Sequence, residues 1–226
     1  MTSTTADPTA TPTRRGPATS RAWAWTGVAA GALGVAAIQA SMATSTDWEK
    51  VAGDPVAILE DAATKQSAFL VFHVLATLTV VLLPVFAAGL RRRLDQQAPA
   101  GSLQGMVAAT GLVLTAAALL LGSGLDTQFT FAFADTSMIV PESGAFYTDW
   151  VATIPWLWLG AGLSALALGV ASLRHAAAPR WIGWVSVVLG GLTVLTGISP
   201  LQYLSGFVGP IWLLVVALGF ALGDRR

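Results

Sequence analysis

The sequence predicts an all-α integral membrane bundle of six transmembrane helices with both termini cytoplasmic, and three observations predict it. The 226 residues are 54% hydrophobic and only 11% charged, too apolar and too sparsely charged for an ordinary soluble domain. Six apolar runs, at about 23–41, 67–90, 103–125, 150–173, 181–198 and 204–222, contain no Asp, Glu, Lys or Arg, and a bilayer core about 30 Å thick takes roughly 20 such residues per helical span. With the N-terminus inside, the inner segments hold ten of the twelve basic residues: Arg14, Arg15, Arg21, Arg91, Arg92, Arg93, Arg174, Arg180, Arg225 and Arg226. Arginine beside a span resists translocation, which sets the orientation. A β-barrel needs alternating segments of about ten residues, whereas these runs are continuous and rich in Ala, Leu and Gly.

Taken in order, residues 1–22 are Thr-, Pro- and Ala-rich without apolar periodicity and read as a disordered cytoplasmic tail. The first run is the orienting span. A cleaved signal peptide is the competing reading, with small residues in AIQASMA near a cleavage position, but the run is full-length. The connections 42–66 and 126–149 are long and collect Asp47, Glu49, Asp54, Glu60, Asp61, Asp126, Asp135, Glu142 and Asp149, giving a sizeable acidic outer face. Within the first connection, 56–63 reads as a short interfacial helix capped by Asp54, with Pro55 in its first position. The link at 199–203 is short, and residues 223–226 form a cytoplasmic C-terminus.

Trp23, Trp25, Trp181 and Trp184 mark the inner interface, and Trp48 and Trp150 the outer one. Trp156, Trp158 and Trp212 lie deeper, where their indole N–H groups require acceptors. Helices in lipid associate where small residues let backbones approach, so Gly27 and Gly31, Gly160, Gly162 and Gly169, and Gly190, Gly191 and Gly197 are the expected contact points. Pro84, Pro155 and Pro210 are expected to kink the second, fourth and sixth spans.

One residue in the spans is ionisable. His73 sits in SAFLVFHVLATL, about six residues to the outer side of its span's middle, roughly 8–9 Å at 1.5 Å per residue. An ionisable group at that depth is a functional hypothesis by default. Its structural alternative is a neutral imidazole bonded to a neighbouring helix. Gln66, His73 and Thr77 share one helix face, continued by Val80 and Pro84, and that stripe is expected to face protein. Asp126 is the only carboxylate near the right depth to meet the imidazole. The expected ligand-binding set is therefore His73, Thr77, Gln66, Asp126 and Trp156.

Other chemistries find no support. The chain has no cysteine, which removes thiol nucleophiles and thiolate metal sites. Bis-histidine haem needs a second embedded histidine, and His175 lies in the inner turn RHAAAPR. LGSG at 121–124 lacks the GxSG order of rhomboid proteases. There is no H-E-x-x-H pair, phosphate loop or EF-hand spacing. No catalytic residue, metal or cofactor is assigned.

The stretch PRWIGWVSVVLGGLTVLTG at 179–197, preceded by the Gly-rich WLWLGAGLSALALGVASL at 156–173, resembles a group of uncharacterised bacterial six-span membrane proteins in which a basic Pro-Arg-aromatic-x-Gly turn joins the fourth and fifth spans. GDPVAILEDA at 53–62 is similar to the helix preceding the second span in that group. The resemblance implies fold and location; that group carries no established chemistry to transfer.

The expected function is that of a non-enzymatic protein of the cell membrane whose partners are the bilayer and a protein or small ligand at the outer face, with no nucleic acid. A permease using His73 for proton coupling is one alternative, although the two three-span halves show no residue-level match. A lipid or isoprenoid enzyme is another, and it requires a cavity lined by Trp156, Trp158 and Trp212.

Overall fold

The computed structural model describes residues 21–223, so the expected tail over 1–22 and the C-terminus over 223–226 lie almost wholly outside the described residues. Those residues form ten α-helices, joined by short turns and without strands: α1 (Ala22–Ala43), α2 (Trp48–Val51), α3 (Pro55–Ala63), α4 (Gln66–Gln97), α5 (Gln104–Gly122), α6 (Asp126–Ala132), α7 (Pro141–Thr153), α8 (Leu159–His175), α9 (Arg180–Gly197) and α10 (Tyr203–Leu218). Six helical segments are long and apolar enough to cross a membrane. They comprise α1, α4, α5, α8 with its lead-in, α9 and α10.

The six make a ring in which chain order is spatial order. α1 packs on α4, α4 on α5, α5 on α8, α8 on α9, α9 on α10, and α10 closes on α1. Short connections enforce the α4–α5, α8–α9 and α9–α10 neighbours, because consecutive antiparallel helices so joined have little freedom except to lie side by side. The middle is filled by Leu83, Phe86, Leu112, Trp158, Trp212 and Leu213, none with any exposed surface.

Small residues set the approach distances. A Cβ built on Gly31 would stand 2.6 Å from the backbone nitrogen of Leu214, so α1 and α10 meet backbone to backbone. Gly111 and Gly160 oppose each other between α5 and α8, close enough that Ser164 Oγ donates to the Ala108 carbonyl at 2.6 Å. Gly191 departs from expectation, since a side chain there would meet nothing within 4 Å. Its neighbour Gly190 already takes the α8-facing position.

The fourth span also differs from its expected form. In place of one helix over 150–173, α7 ends at Thr153, Ile154–Trp156 turns as a 3₁₀ segment, and α8 starts at Leu159. Pro155 supplies the reason, because it lacks an N–H and disfavours helical backbone in the preceding residue. The ring of Pro155 rests over Gly122 at the end of α5, where a Cβ would stand 2.6 Å from Pro155 Cγ.

The acidic connections are helical rather than loop. Asp54 Oδ1 accepts from Val56 N at 2.9 Å and Pro55 occupies the first turn of α3, as the sequence predicts. α3 packs on α7, and α6 returns onto α4. Beneath them Phe69, Phe72, Phe129, Phe133 and Tyr147 form a second buried cluster, in which the Phe129 and Tyr147 rings stack with centroids 4.4 Å apart.

This cluster alters the expected orientation of α4. Its fully buried line is Phe69, Phe72, Ala76, Thr79, Leu83 and Phe86, while Gln66, His73 and Thr77 are half-buried and Pro84 is exposed. The phenylalanines, with far more surface to pack, take the interior angle and turn the polar stripe onto the flank.

Candidate functional site

α4 presents His73 on that flank, at the end of the ring that carries α3, α6 and α7. The chain leaves α5 through a turn at 123–125 and re-enters helix at Asp126, which places the carboxylate against α4. His73 Nδ1 and Asp126 Oδ2 are 3.1 Å apart. On the other side of the carboxylate, Tyr147 Oη donates to Oδ1 at 3.0 Å. Three helices, α4, α6 and α7, thus each contribute one member of a hydrogen-bonded trio.

Burial is graded across the trio. Asp126 is 1% exposed and Tyr147 fully buried, whereas the His73 side chain retains 31% of its surface. A buried carboxylate is tolerated only where its oxygens are satisfied, and here both are. His73 Nδ1 is thus committed to Asp126, and Nε2 on the other edge of the ring has no protein partner.

The imidazole borders a cavity of about 540 Å³ lined by Gln66, Ser67, Leu70, His73, Asp126, Thr127, Thr130 and Phe131. Gln66 Nε2 donates to the Thr130 carbonyl at 2.6 Å, tying the start of α4 to α6. The Thr130 hydroxyl is buried beside that of Tyr147. No cationic side chain lines the cavity, and nearby Lys65 is held by Asp61 at 2.6 Å. Among the described residues no three His, Asp or Glu side chains gather as a metal set.

Of the five residues expected from sequence, Gln66, His73 and Asp126 come together around this cavity. Thr77 does not line it. Its hydroxyl donates back to the His73 carbonyl on the same helix, which satisfies it one turn away. Trp156 is elsewhere because the Pro155 turn aims its indole at α1, where Nε1 donates to Ser41 Oγ at 3.0 Å. It borders a separate pocket of about 290 Å³ with Met42, Tyr203 and Phe207. The tryptophan-lined cavity required by a lipid enzyme does not form: Trp158 and Trp212 are buried in the core, with Trp212 Nε1 bonded to Ser186 Oγ at 3.1 Å and Trp158 Nε1 unpartnered.

Tyr147 and Thr130 are the site residues that sequence reasoning misses. Both lie in the connection 126–149, whose acids and turn residues conceal two helices. The one available signal is the apolar set Phe129, Phe133 and Tyr147, which marks an inward-facing side. Comparison of the chain with models of protein families, with curated proteins and with solved structures gave no match.

Proposed function

We infer that this is a multi-pass protein of the cell membrane that binds a small ligand at its outer face, in the cavity beside His73, and that it is not an enzyme. The arginine distribution supports cytoplasmic termini, with α3, α6 and α7 outside. The single observation that carries the reading is the combination of an open cavity with an imidazole whose one ring nitrogen is fixed by a buried carboxylate and whose other is unused. An imidazole serving packing alone would be enclosed. This one is held in orientation by Asp126 and Tyr147 while its free edge meets space, the arrangement that positions a recognition group. The resemblance to uncharacterised six-span bacterial membrane proteins agrees with the architecture and adds no chemistry.

The test is functional replacement. In a strain lacking the protein, His73→Phe at wild-type membrane abundance is expected to fail to restore the lost phenotype, while Thr77→Val restores it. Full restoration by His73→Phe removes the cavity from the function.

A second reading, transport with His73 carrying a coupled proton, draws on the same trio. It predicts pH-dependent uptake into proteoliposomes that His73→Phe abolishes. The packed centre of the ring, filled by Trp158, Trp212 and Phe86, favours binding over passage in this conformation.

A further inference from the structure

We propose that the cap formed by α6 and α7 is seated in the membrane: Phe131 and Phe146 lie in the boundary between the headgroups and acyl chains of the surrounding lipids, so that the cavity beside His73 opens to lipid rather than to bulk water. The seating stands apart from the cavity's role, whereas the route it gives a ligand rests on the cavity being a binding site. A ligand that reaches His73 by that route is a lipid-soluble molecule of the leaflet.

Within the connection 126–149, Phe131, Met138, Val140 and Phe146 each leave more than half of their surface open. So many open apolar side chains in one connection call for a cover, protein or lipid. The level of two of them follows from the helices beside them. Arg91 is the first charged residue after the apolar run of α4, and at 1.5 Å per residue a hydrocarbon core about 30 Å thick reaches from there to Val71. Leu70, exposed, therefore stands at the far edge of the core. Phe131 lines the same cavity as Leu70 and shares that level. On the other flank, Trp150 Nε1 donates to the Leu121 carbonyl at 2.9 Å, and the Phe146 and Trp150 rings have centroids 5.8 Å apart. Leu114 and Leu121, both exposed, mark the lipid-facing side of α5. The apolar edge of the cap is thus continuous with the sides of α4 and α5 that face the bilayer.

Polar neighbours fix how deep the cap sits. Asp149, one turn from Phe146, is exposed on the same side of α7, and Thr127 and Gln128 are exposed on α6 one turn before Phe131. A carboxylate is costly in hydrocarbon and tolerated among hydrated headgroups. The rings therefore dip while Asp149 stays at headgroup level, as in an interfacial helix whose apolar side enters the headgroup–acyl boundary by roughly 5–10 Å. Trp150 suits that level, with an apolar ring and a satisfied N–H. At the rim of the cavity Ser67 and Thr127 are exposed beside Leu70 and Phe131. The mouth thus offers two hydroxyls and two apolar side chains, the mixture that the same boundary solvates.

The experiment places single cysteines in the full-length chain, which has none of its own, labels them with the fluorophore NBD and reconstitutes the protein in phosphatidylcholine nanodiscs. Phe131→Cys and Phe146→Cys replace exposed side chains, which spares the packing beneath them. Val81→Cys, exposed near the middle of the apolar run of α4, and Gln97→Cys, exposed at the end of that helix, serve as the hydrocarbon and water references. Both phenylalanine positions are expected to emit at shorter wavelength than Gln97→Cys, to lose emission to lipids carrying a nitroxide on the headgroup or upper acyl chain, and to resist aqueous iodide. Val81→Cys loses most emission to a nitroxide deep in the acyl chain. Iodide quenching at both phenylalanine positions as strong as at Gln97→Cys, with none from the lipid nitroxides, overturns the seating and leaves the apolar edge to a protein partner. Lipid quenching at Phe146→Cys alone overturns the opening to lipid and returns the cavity's ligand to the aqueous phase. No readout uses the ligand, so failure of the seating leaves the binding site standing, and full restoration of the phenotype by His73→Phe removes the binding role while leaving the seating in place.

Discussion

Asp126 is the residue on which the acidic end turns. Among the described residues it is the one buried carboxylate, 1% exposed, and it joins α6 to α4 through His73 and to α7 through Tyr147. Removing it strands two donors, one of them fully buried, at about 1–3 kcal/mol for each unsatisfied group. Asp126→Ala is therefore expected to lower unfolding stability in detergent by about 2–4 kcal/mol, and Tyr147→Phe, which removes one donor to the carboxylate, by about 1–2 kcal/mol. Equal stability of Tyr147→Phe and wild type in denaturant titration would show that the carboxylate does not depend on the tyrosine. The histidine and aspartate of this trio were legible because each is conspicuous alone: one imidazole in an apolar run, one acid at a matching depth. The tyrosine was not, since Pro141, Glu142, Ser143 and Gly144 just before it carry the composition of a turn. Trp156 misled for a related reason. Its depth along the chain was readable, but its direction depends on how Pro155 turns the backbone.

At the level of elements, α1, α4, α5, α9 and α10 were legible to within a few residues, apart from α4's continuation through the arginines to Gln97, because continuous apolar runs free of charge leave helix as the way to satisfy every backbone group. The fourth run was legible in position and not in form: composition registers apolarity, while the break comes from a single ring at Pro155. Element ends hold a further consequence. α8 ends at His175 and is followed by Ala176, whose φ of 51° lies in the left-handed region, and Ala177 N bonds back to the Ala171 carbonyl at 3.3 Å. A left-handed residue at a helix end is ordinarily glycine, and an L side chain there costs about 1 kcal/mol. Ala176→Gly is therefore expected to raise stability by about 0.5–1 kcal/mol, read as an increase in the thermal unfolding midpoint in micelles. A lower midpoint would mean that the entropy added to the unfolded chain outweighs the strain relieved. The turn is otherwise braced, since Arg93 Nε reaches the Ala177 carbonyl at 3.2 Å.

Across the whole molecule, charge divides the bundle into two ends. Arg91, Arg92, Arg93, Arg174 and Arg180 lie at one, and α3, α6 and α7 with their acids at the other. The two lysines at the acidic end are both paired, Lys50 with Asp47 and Lys65 with Asp61. Every basic segment would have to be translocated if the chain were inverted, which arginine beside a span resists, so the arginine end is expected to remain in the cytoplasm. The native chain contains no cysteine, so single introduced thiols report position without background. Ser143→Cys, on the exposed side of α7, should be labelled by a membrane-impermeant maleimide in intact cells. Gln97→Cys, exposed at the end of α4, should be labelled only after permeabilisation. The reverse pattern would place the His73 cavity on the cytoplasmic side, where its ligand would come from the inner leaflet. Labelling of both sites in intact cells would mean that α4 and α7 do not stand on opposite sides of one membrane, and the ring of six spans would have to be abandoned.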